Sequence, residues 1–350
     1  MTSDASGSAP AVVDPVAVRT RLWLTGELKA ENFSLDDVSK YLHEDGALLW
    51  VDLLNPGRTL LDELADELGF DQRAVEDVVE HSERTKATRY ATHTFLTVYA
   101  TALGAQVPGS IESRLLTARV SIFVLPTGVV TVRHESDSAR PVFDVDEVVR
   151  RWDDNSDLLR RGSPALLHGI LDVVVDGQFD AIQQLDDAIE SLEDSLFDEH
   201  SQTRQLQRDT YRLRKELVEV RRIVLPMREV VNTVMRRSLP GADVGELDGW
   251  YSDLYDDVIR AAEWTESLRD MVTTVFETNL SLQDARLNTI MKKLTGWAAI
   301  IAVPTLVTGW YGQNIPYPGF SEPSGVVTSA LLSVLASVAL YMGFKRRGWI

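Results

Sequence analysis

The residues that invite a chemical interpretation lie in an uncharged stretch, residues 294–315, which contains the segment Tyr311-Gly312-Gln313-Asn314. Small and hydroxyl residues recur along this stretch: Thr295, Gly296, Pro304, Thr305, Thr308 and Gly309. Such residues let helices approach closely, and they can also line a water-filled path. Met291, Leu294, Thr305 and Gly309 are compatible with one face of a helix. Both interpretations, helix packing and a path for a polar solute, remain open.

Two apolar segments predict a transmembrane hairpin that would hold these residues. Residues 294–311 form the first span and residues 325–344 the second, and each is just long enough to cross a hydrocarbon core of about 30 Å. The alternative is a buried helical hairpin in a soluble protein. Two helices cannot enclose a pore, so a path through the membrane requires several subunits around an axis. The first span would then line that axis and the second would face lipid.

Charged residues flank the two spans asymmetrically. The loop between them, residues 312–324, has no Lys or Arg and a single acid, Glu322. The basic residues that flank the membrane on the other side are Lys292, Lys293, Lys345, Arg346 and Arg347. The positive-inside rule places these flanks in the cytoplasm and the loop outside. We therefore expect a multi-pass protein of the inner cell membrane, with both termini cytoplasmic.

The elements before the hairpin are predicted to be an α/β region and long helices. Apolar periodicity over residues 247–311 predicts one helix of about 60 residues, or roughly 90 Å, which would lead from the cytoplasm into the bilayer. The fold class is thus an α/β cytoplasmic domain followed by long helices and a two-helix transmembrane hairpin. The remaining predicted parts are a disordered tail (1–17), the α/β domain (18–162), a helical hairpin (163–246) and a basic cytoplasmic tail (345–350).

Composition narrows the function classes. The net charge is −18, with 53 acidic and 35 basic residues, which argues against a nucleic-acid partner. The absence of Cys excludes disulfides and thiol chemistry. The six histidines show no metal-ligand spacing, and no nucleophile–base pair or cofactor motif appears, which disfavours an enzyme. A run of acids between Asp186 and Glu199 is typical of a solvated helix face, although it could also concentrate cations.

Several motifs together resemble the CorA-type magnesium channels. The segment Tyr311-Gly312-Gln313-Asn314 is similar to the Tyr-Gly-Met-Asn signature of that family, with Gln313 in place of Met. The residues that usually precede the signature in the family are matched here by Pro304, Thr305 and Gly309. Other segments that fit the family are Leu225-Pro226-Met227-Arg228-Glu229-Val230, Ser252-Asp253-Leu254-Tyr255-Asp256, Asn288-Thr289-Ile290-Met291-Lys292-Lys293-Leu294 and Lys345-Arg346-Arg347-Gly348-Trp349. The likeness runs from about Val18 to Ile350.

The resemblance implies a homopentamer with a funnel-shaped cytoplasmic region and a passive Mg²⁺ and Co²⁺ pathway driven by the membrane potential. It assigns the selectivity filter to Gly312, Gln313 and Asn314. It assigns the pore lining to Thr305, Gly309 and Asn288, and an apolar gate to Met291 and Leu294. Mg²⁺ is the transported ion and a possible regulatory ion, and no other cofactor is implied.

The resemblance also implies regulation by a divalent cation bound between cytoplasmic domains. Asp253 matches one acidic contributor to that site, whereas Thr88 and Arg89 stand where its partner acid is expected. The sensor is then weakened, moved or replaced by an Arg89–Asp253 ion pair. Two other functions stay open: a Zn²⁺ or other transition-metal transporter of the same superfamily, and a membrane-anchored scaffold or sensor that transports nothing.

Overall fold

The computed structural model describes residues 17–80, 83–105, 110–134, 141–197, 203–236, 247–313 and 316–350. The predicted tail, residues 1–17, lies outside these ranges except for Ala17, which begins the first strand. The chain divides into two compact units, Met1–Thr273 and Thr274–Ile350.

The first unit is built on a seven-stranded mixed sheet with the order β2-β1-β3-β7-β6-β5-β4. Only the pair β3–β7 is parallel among the described strands. The strands are β1 (Ala17–Leu24), β2 (Glu27–Glu31), β3 (Ala47–Leu54), β4 (Lys86–Arg89), β5 (Thr94–Leu103), β6 (Leu115–Leu125) and β7 (Gly128–His134).

Helices cover both faces of this sheet, so the first unit is a layered α/β domain. Short helices precede the long ones: α1 (Val38–Leu42), α2 (Arg58–Leu68), α3 (Gln72–Val79), α4 (Val145–Asp154) and α5 (Ser156–Leu159). The long helices are α6 (Ser163–Phe197), α7 (Thr203–Arg236), α8 (Asp248–Tyr311) and α9 (Pro323–Arg346).

Strand β3 is buried on both faces, so the sheet has a hydrophobic core on each side. Because side chains alternate across a strand, Leu48 and Trp50 face one layer and Leu49 and Val51 the other. The layer of Trp50 contains α4, α6, α7 and the first turns of α8, where Trp152 packs edge-on against Trp50 with ring centroids 4.9 Å apart. The layer of Leu49 contains α1, α2 and α3. A strand buried on both faces has no polar alternation, as its sequence shows.

The second unit contains the end of α8 and the whole of α9. Helix α8 is continuous over 64 residues with Pro304 inside it, which confirms the long helix predicted from the sequence. Helix α9 has 24 residues and begins with Pro323, a residue suited to the first helical position because its missing N–H would have no partner there. The α/β domain, the long helices and the C-terminal apolar hairpin of the predicted fold class are confirmed.

Candidate functional site

The apolar surface of the second unit is largely uncovered. In the most apolar 18-residue window of α8, 11% of residues are buried, and in that of α9 only 6%. The core helix of a soluble protein would bury most of such a window. Both helices are long and apolar enough to cross a membrane, and their exposure disfavours the soluble-hairpin alternative.

Helices α8 and α9 pack against each other through aromatic and small residues. The rings of Trp297 and Tyr341 lie 6.3 Å apart, centroid to centroid. Gly296 is buried, and a Cβ built there would lie 3.7 Å from Cδ2 of Phe344. That distance is ordinary van der Waals contact, but the same Cβ would lie only 3.1 Å from Cδ1 of Ile350, so the small residue at position 296 makes room for the segment that follows α9.

The residues assigned to the pathway share a different face of α8. At about 100° per residue, positions 288, 291, 294, 305 and 309 fall within an arc of roughly 120°. Met291 and Leu294 are 57% and 62% exposed, although both are large and apolar, and Asn288, Thr305 and Gly309 are exposed as well. Trp297 lies outside this arc, so the face that α9 covers is not the face that carries the candidates.

An open groove of about 870 Å³ runs along the last turns of α8. One of its lining residues, Leu332, belongs to α9. Thr305, Gly309 and Gln313 line the groove together, at spacings of one helical turn. The Thr305 hydroxyl donates to the carbonyl of Ile301 at 3.2 Å, so its oxygen lone pairs remain available on the groove side. The structure therefore brings together three of the predicted residues.

Helix α8 ends in the segment predicted as the filter. The N–H of Gly312 donates to the carbonyl of Thr308 at 2.8 Å, and the N–H of Gln313 donates to that of Trp310 at 3.2 Å. The first of these is an ordinary α-helical bond, whereas the second spans only three residues, a tighter turn of the kind that ends a helix. Asn314 lies outside the described residues.

The loop after the filter segment is held by aromatic rings. Tyr317 packs edge-on against Tyr311, at 4.8 Å, and against Phe320, at 5.4 Å. Gly319 has a φ of +90° and lies directly against Gly325 in the first turn of α9. These contacts fix the loop between the two helices, and nothing in the sequence pattern alone predicted them.

The five basic flanking residues are all exposed. The ammonium of Lys345 lies 5.8 Å from the centroid of the Tyr341 ring, an aromatic residue of the same helix. None of the five, Lys292, Lys293, Lys345, Arg346 and Arg347, forms a salt bridge within the described part of the chain. Their charges thus remain free to meet the membrane surface.

The predicted regulatory residue, Asp253, is exposed on α8 in the first unit. No ion pair joins it to Arg89 within the described residues of a single chain, so an Arg89–Asp253 pair stays a prediction for neighbouring subunits. Burial lowers the pKa of the nearby His168, while the carboxylates of Asp172 and Asp253 oppose that shift. The charge of Asp253 thus contributes to the pKa of a partly buried imidazole.

The structure brings together a further acidic cluster, which no sequence motif indicated. Carboxylate oxygens of Asp77, Glu80 and Glu83 lie within 4.8 Å of one another. Lys86 pairs with two of the three acids, with its Nζ 2.8 Å from a carboxylate oxygen of Asp77 and 3.0 Å from one of Glu83. Burial lowers the pKa of Lys86, but the two carboxylates outweigh that effect and the net shift is upward. Asp77 belongs to α3, and Glu80 and Glu83 follow that helix. Their spacing in the sequence therefore does not predict the cluster.

The sequence model of the CorA-like Mg²⁺ transporter protein family matches residues 45–346, most of the chain. This chain belongs to that family. The CorA family consists of divalent-cation transporters of the membrane, and the two exposed apolar helices of the second unit are its candidate spans. Magnesium is accordingly a substrate of the family and not a resident cofactor.

Individual relatives span nearly the whole chain. It is 26% identical over 318 residues to the cobalt/magnesium transport protein CorA of Methanocaldococcus jannaschii, covering 90% of this chain and 95% of the relative. It is 25% identical over 339 residues to the protein of the same description from Thermotoga maritima, covering 93% and 92%. The complete structure of the M. jannaschii CorA magnesium transporter superposes with a TM-score of 0.73 at 22% identity, over 95% of this chain and 98% of that one.

Proposed function

We propose that this CorA-family transporter is a passive channel for Mg²⁺, and also for Co²⁺, driven by the membrane potential. One observation carries the proposal: Thr305, Gly309 and Gln313 line a single open groove along α8, which α9 borders only through Leu332. A helix that only anchors needs an apolar face towards lipid, but it does not need small and polar residues one turn apart along a groove. A pathway formed by several copies of α8 needs them along its axis.

The pathway requires copies of the chain around an axis, and we propose a homopentamer, as the family resemblance implies. The arc of α8 that contains Asn288, Met291 and Leu294 would face that axis, and α9 would face lipid. The basic flanks would lie on the cytoplasmic side of the inner membrane, with both termini, because Lys and Arg are retained there.

Neutral oxygen ligands suit the transported ion. Mg²⁺ dehydrates reluctantly and usually keeps several waters, so a ring of amide and carbonyl oxygens can hold the hydrated ion without trapping it. We assign that ring to the Gly312 carbonyl and to the side chains of Gln313 and Asn314. Between Lys293 and Lys345 the sequence offers one carboxylate, Glu322, so a tight acidic site within the spans is excluded by composition.

Below the filter we assign a gate to the apolar residues of the same arc. Rings of Met291 and Leu294 would close the path by dewetting, and Asn288 would lie beneath them. Asp253 is the candidate contributor to a regulatory cation site between subunits. If Mg²⁺ inhibition proves unchanged in Asp253→Ala, this sensing role is wrong.

Ion flux into proteoliposomes tests the function. Purified protein is reconstituted, and uptake of Mg²⁺, Co²⁺, Ni²⁺ and Zn²⁺ is measured in parallel. We expect Mg²⁺ and Co²⁺ uptake that Asn314→Ala reduces strongly. Asn232→Ala, the same substitution at a half-buried position of α7, is expected to leave uptake unchanged.

The outcomes separate the competing functions. Absence of flux for every ion in a well-folded oligomer would favour the membrane-anchored scaffold. Uptake restricted to Zn²⁺ would favour the transition-metal transporter, an alternative kept open by the Gln313 substitution in the signature. Equal losses in the Asn314 and Asn232 variants would show that Asn314 does not form the filter.

A further inference from the structure

Charge is distributed unevenly between the two ends of the membrane hairpin. Of the 53 acidic residues in the chain, only Glu322 follows Lys292, and it lies in the loop that joins the two spans. The opposite end carries five cations, Lys292, Lys293, Lys345, Arg346 and Arg347, defined here as the basic cluster. All five side chains are exposed, and none is neutralised by a salt bridge in the described ranges.

The chain after α9 folds back and fixes the position of the basic cluster. Gly348 adopts a φ of +68°, and the N–H of Trp349 donates to the carbonyl of Phe344 at 2.9 Å, which turns the backbone as a helix C-cap does. The ring of Trp349 then stacks on that of Phe344, with centroids 5.4 Å apart and planes 11° from parallel.

The returning segment contacts α8 at Gly296. A Cβ built at Gly296 would lie 3.1 Å from Cδ1 of Ile350, so the isoleucine occupies the space that a larger residue would take. Gly296 follows Lys292 by one helical turn, about 6 Å along the axis. The two parts of the basic cluster, from α8 and from the end of α9, therefore converge at the same level of the hairpin.

Aromatic residues mark that level as a membrane–water interface. Trp297, Tyr341 and Trp349 lie there, and amphipathic rings of this kind are enriched where headgroups meet hydrocarbon. These exposed cations lie beside such rings, and the only acidic side chain after Lys292 is Glu322, in the loop at the other end of the hairpin. They are therefore complementary to a phosphate at headgroup depth. Inorganic phosphate shares that charge but has no acyl chains to lie on the adjacent apolar helices.

We propose that the basic cluster, held in place by the Trp349–Phe344 stack and the Ile350–Gly296 contact, binds the phosphate headgroup of an anionic phospholipid. The proposal rests on the hairpin crossing a membrane, and it is independent of which ion the protein conducts. Each cation near an anionic surface contributes roughly fivefold to binding, so the whole cluster gives a strong preference over zwitterionic lipid.

Quenching of tryptophan fluorescence by brominated lipids measures this preference. The full-length protein is reconstituted in phosphatidylcholine bilayers with increasing brominated phosphatidylglycerol, and in matched bilayers with brominated phosphatidylcholine. We expect phosphatidylglycerol to be preferred at least fivefold. The triple variant Lys345→Gln, Arg346→Gln, Arg347→Gln is expected to lose most of that preference. The matched control removes three exposed cations of the first unit: Lys29→Gln, Arg204→Gln, Arg208→Gln.

Two further measurements protect the test against misfolding and against a different anion source. In the unmodified protein, the preference is expected to fall as salt rises, because screening weakens exposed charge interactions. Millimolar inorganic phosphate is expected to leave it unchanged. Equal binding of the two lipids, equal losses in both triple variants, or displacement by inorganic phosphate would each overturn the proposal. Because quenching needs no ion transport, these results are distinct from a failure of the flux experiment.

Discussion

Gln313 stands where the family resemblance leads us to expect Met, and it is exposed at the end of α8. It lines the groove with Thr305 and Gly309 and does not pack into the helix pair. An amide at this position can offer an oxygen to a hydrated cation, whereas the thioether of Met is a poor ligand for a hard ion.

Replacing Gln313 by Met is therefore expected to weaken the apparent Mg²⁺ affinity. One lost hydrogen bond, at about 1 kcal/mol, corresponds to roughly fivefold. The measurement is the concentration dependence of Mg²⁺ uptake into proteoliposomes. Gln283→Met is the matched control, since Gln283 also lies on α8 but donates to Asn279 at 3.1 Å. Equal affinities for the Gln313→Met protein and the control would show that Gln313 faces away from the ion.

His93 illustrates a second property that depends on a single residue. Its side chain is fully buried beside Phe70 and Phe123, and burial lowers its pKa from 6.5 to about 4, against an opposing contribution from Asp71. In the unfolded chain the ring takes up a proton near pH 6.5, whereas in the folded protein it stays neutral until about pH 4. Stability contributed by the neutral ring is thus present above pH 6.5 and is lost as the pH falls through that window.

The apparent melting temperature of the solubilised protein is expected to fall between pH 7 and pH 5, with His93 contributing up to about 2 kcal/mol of the loss. His93→Phe keeps an aromatic ring and removes the titrating group, so the difference between the two pH values is expected to shrink. His43→Phe, the same change at an exposed position, is expected to keep the full difference. A His93→Phe protein with an undiminished difference would contradict the prediction.

At the scale of elements, the sequence predicted those features that hydrophobic periodicity and segment length determine. The length of α8 was predicted from the apolar periodicity over residues 247–311 and is confirmed. The edge strands β2 and β4 were not predicted, because their sequences, Glu-Leu-Lys-Ala-Glu and Lys-Ala-Thr-Arg, are charged and short. Edge strands are commonly of this kind, since charge protects them from unwanted pairing.

Contacts between elements could not be predicted from the sequence, for a different reason. The cluster of Asp77, Glu80 and Glu83 with Lys86 depends on how α3 meets β4. The groove beside Gln313 depends on how α9 leaves one face of α8 open. Neither arrangement has a repeat or a spacing of its own, so only the placement of the helices reveals it.

The loop between the spans supplies a test at the element scale. A Cβ at Gly325 would overlap the carbonyl oxygen of Gly319, whereas a Cβ at Gly343, in the same helix, would have no neighbour within 4 Å. Gly325→Ala is expected to destabilise the loop by about 2 kcal/mol through overpacking. Gly343→Ala is expected to be neutral or slightly stabilising, by up to about 1 kcal/mol. Thermal unfolding of the two solubilised variants compares them directly, and equal melting temperatures would show that the Gly319–Gly325 contact does not constrain the loop.

At the scale of the whole molecule, function depends on the energy available to move a dication. A membrane potential of about 100 mV supplies roughly 2.3 kcal/mol per elementary charge, and thus about 4.6 kcal/mol for Mg²⁺. That is enough to drive uptake without nucleotide hydrolysis, and the sequence contains no P-loop. A channel uses this energy directly, whereas a carrier coupled to protons draws on the pH gradient.

The two energy sources can be separated in proteoliposomes. A potassium diffusion potential, negative inside and set by valinomycin, is expected to increase Mg²⁺ uptake steeply, because each 30 mV changes the driving force on a dication by about 1.4 kcal/mol, or tenfold at equilibrium. Collapsing a pH gradient at constant potential is expected to have no effect. Uptake that follows the pH gradient and ignores the potential would instead identify a proton-coupled carrier, the mechanism expected of the Zn²⁺ alternative.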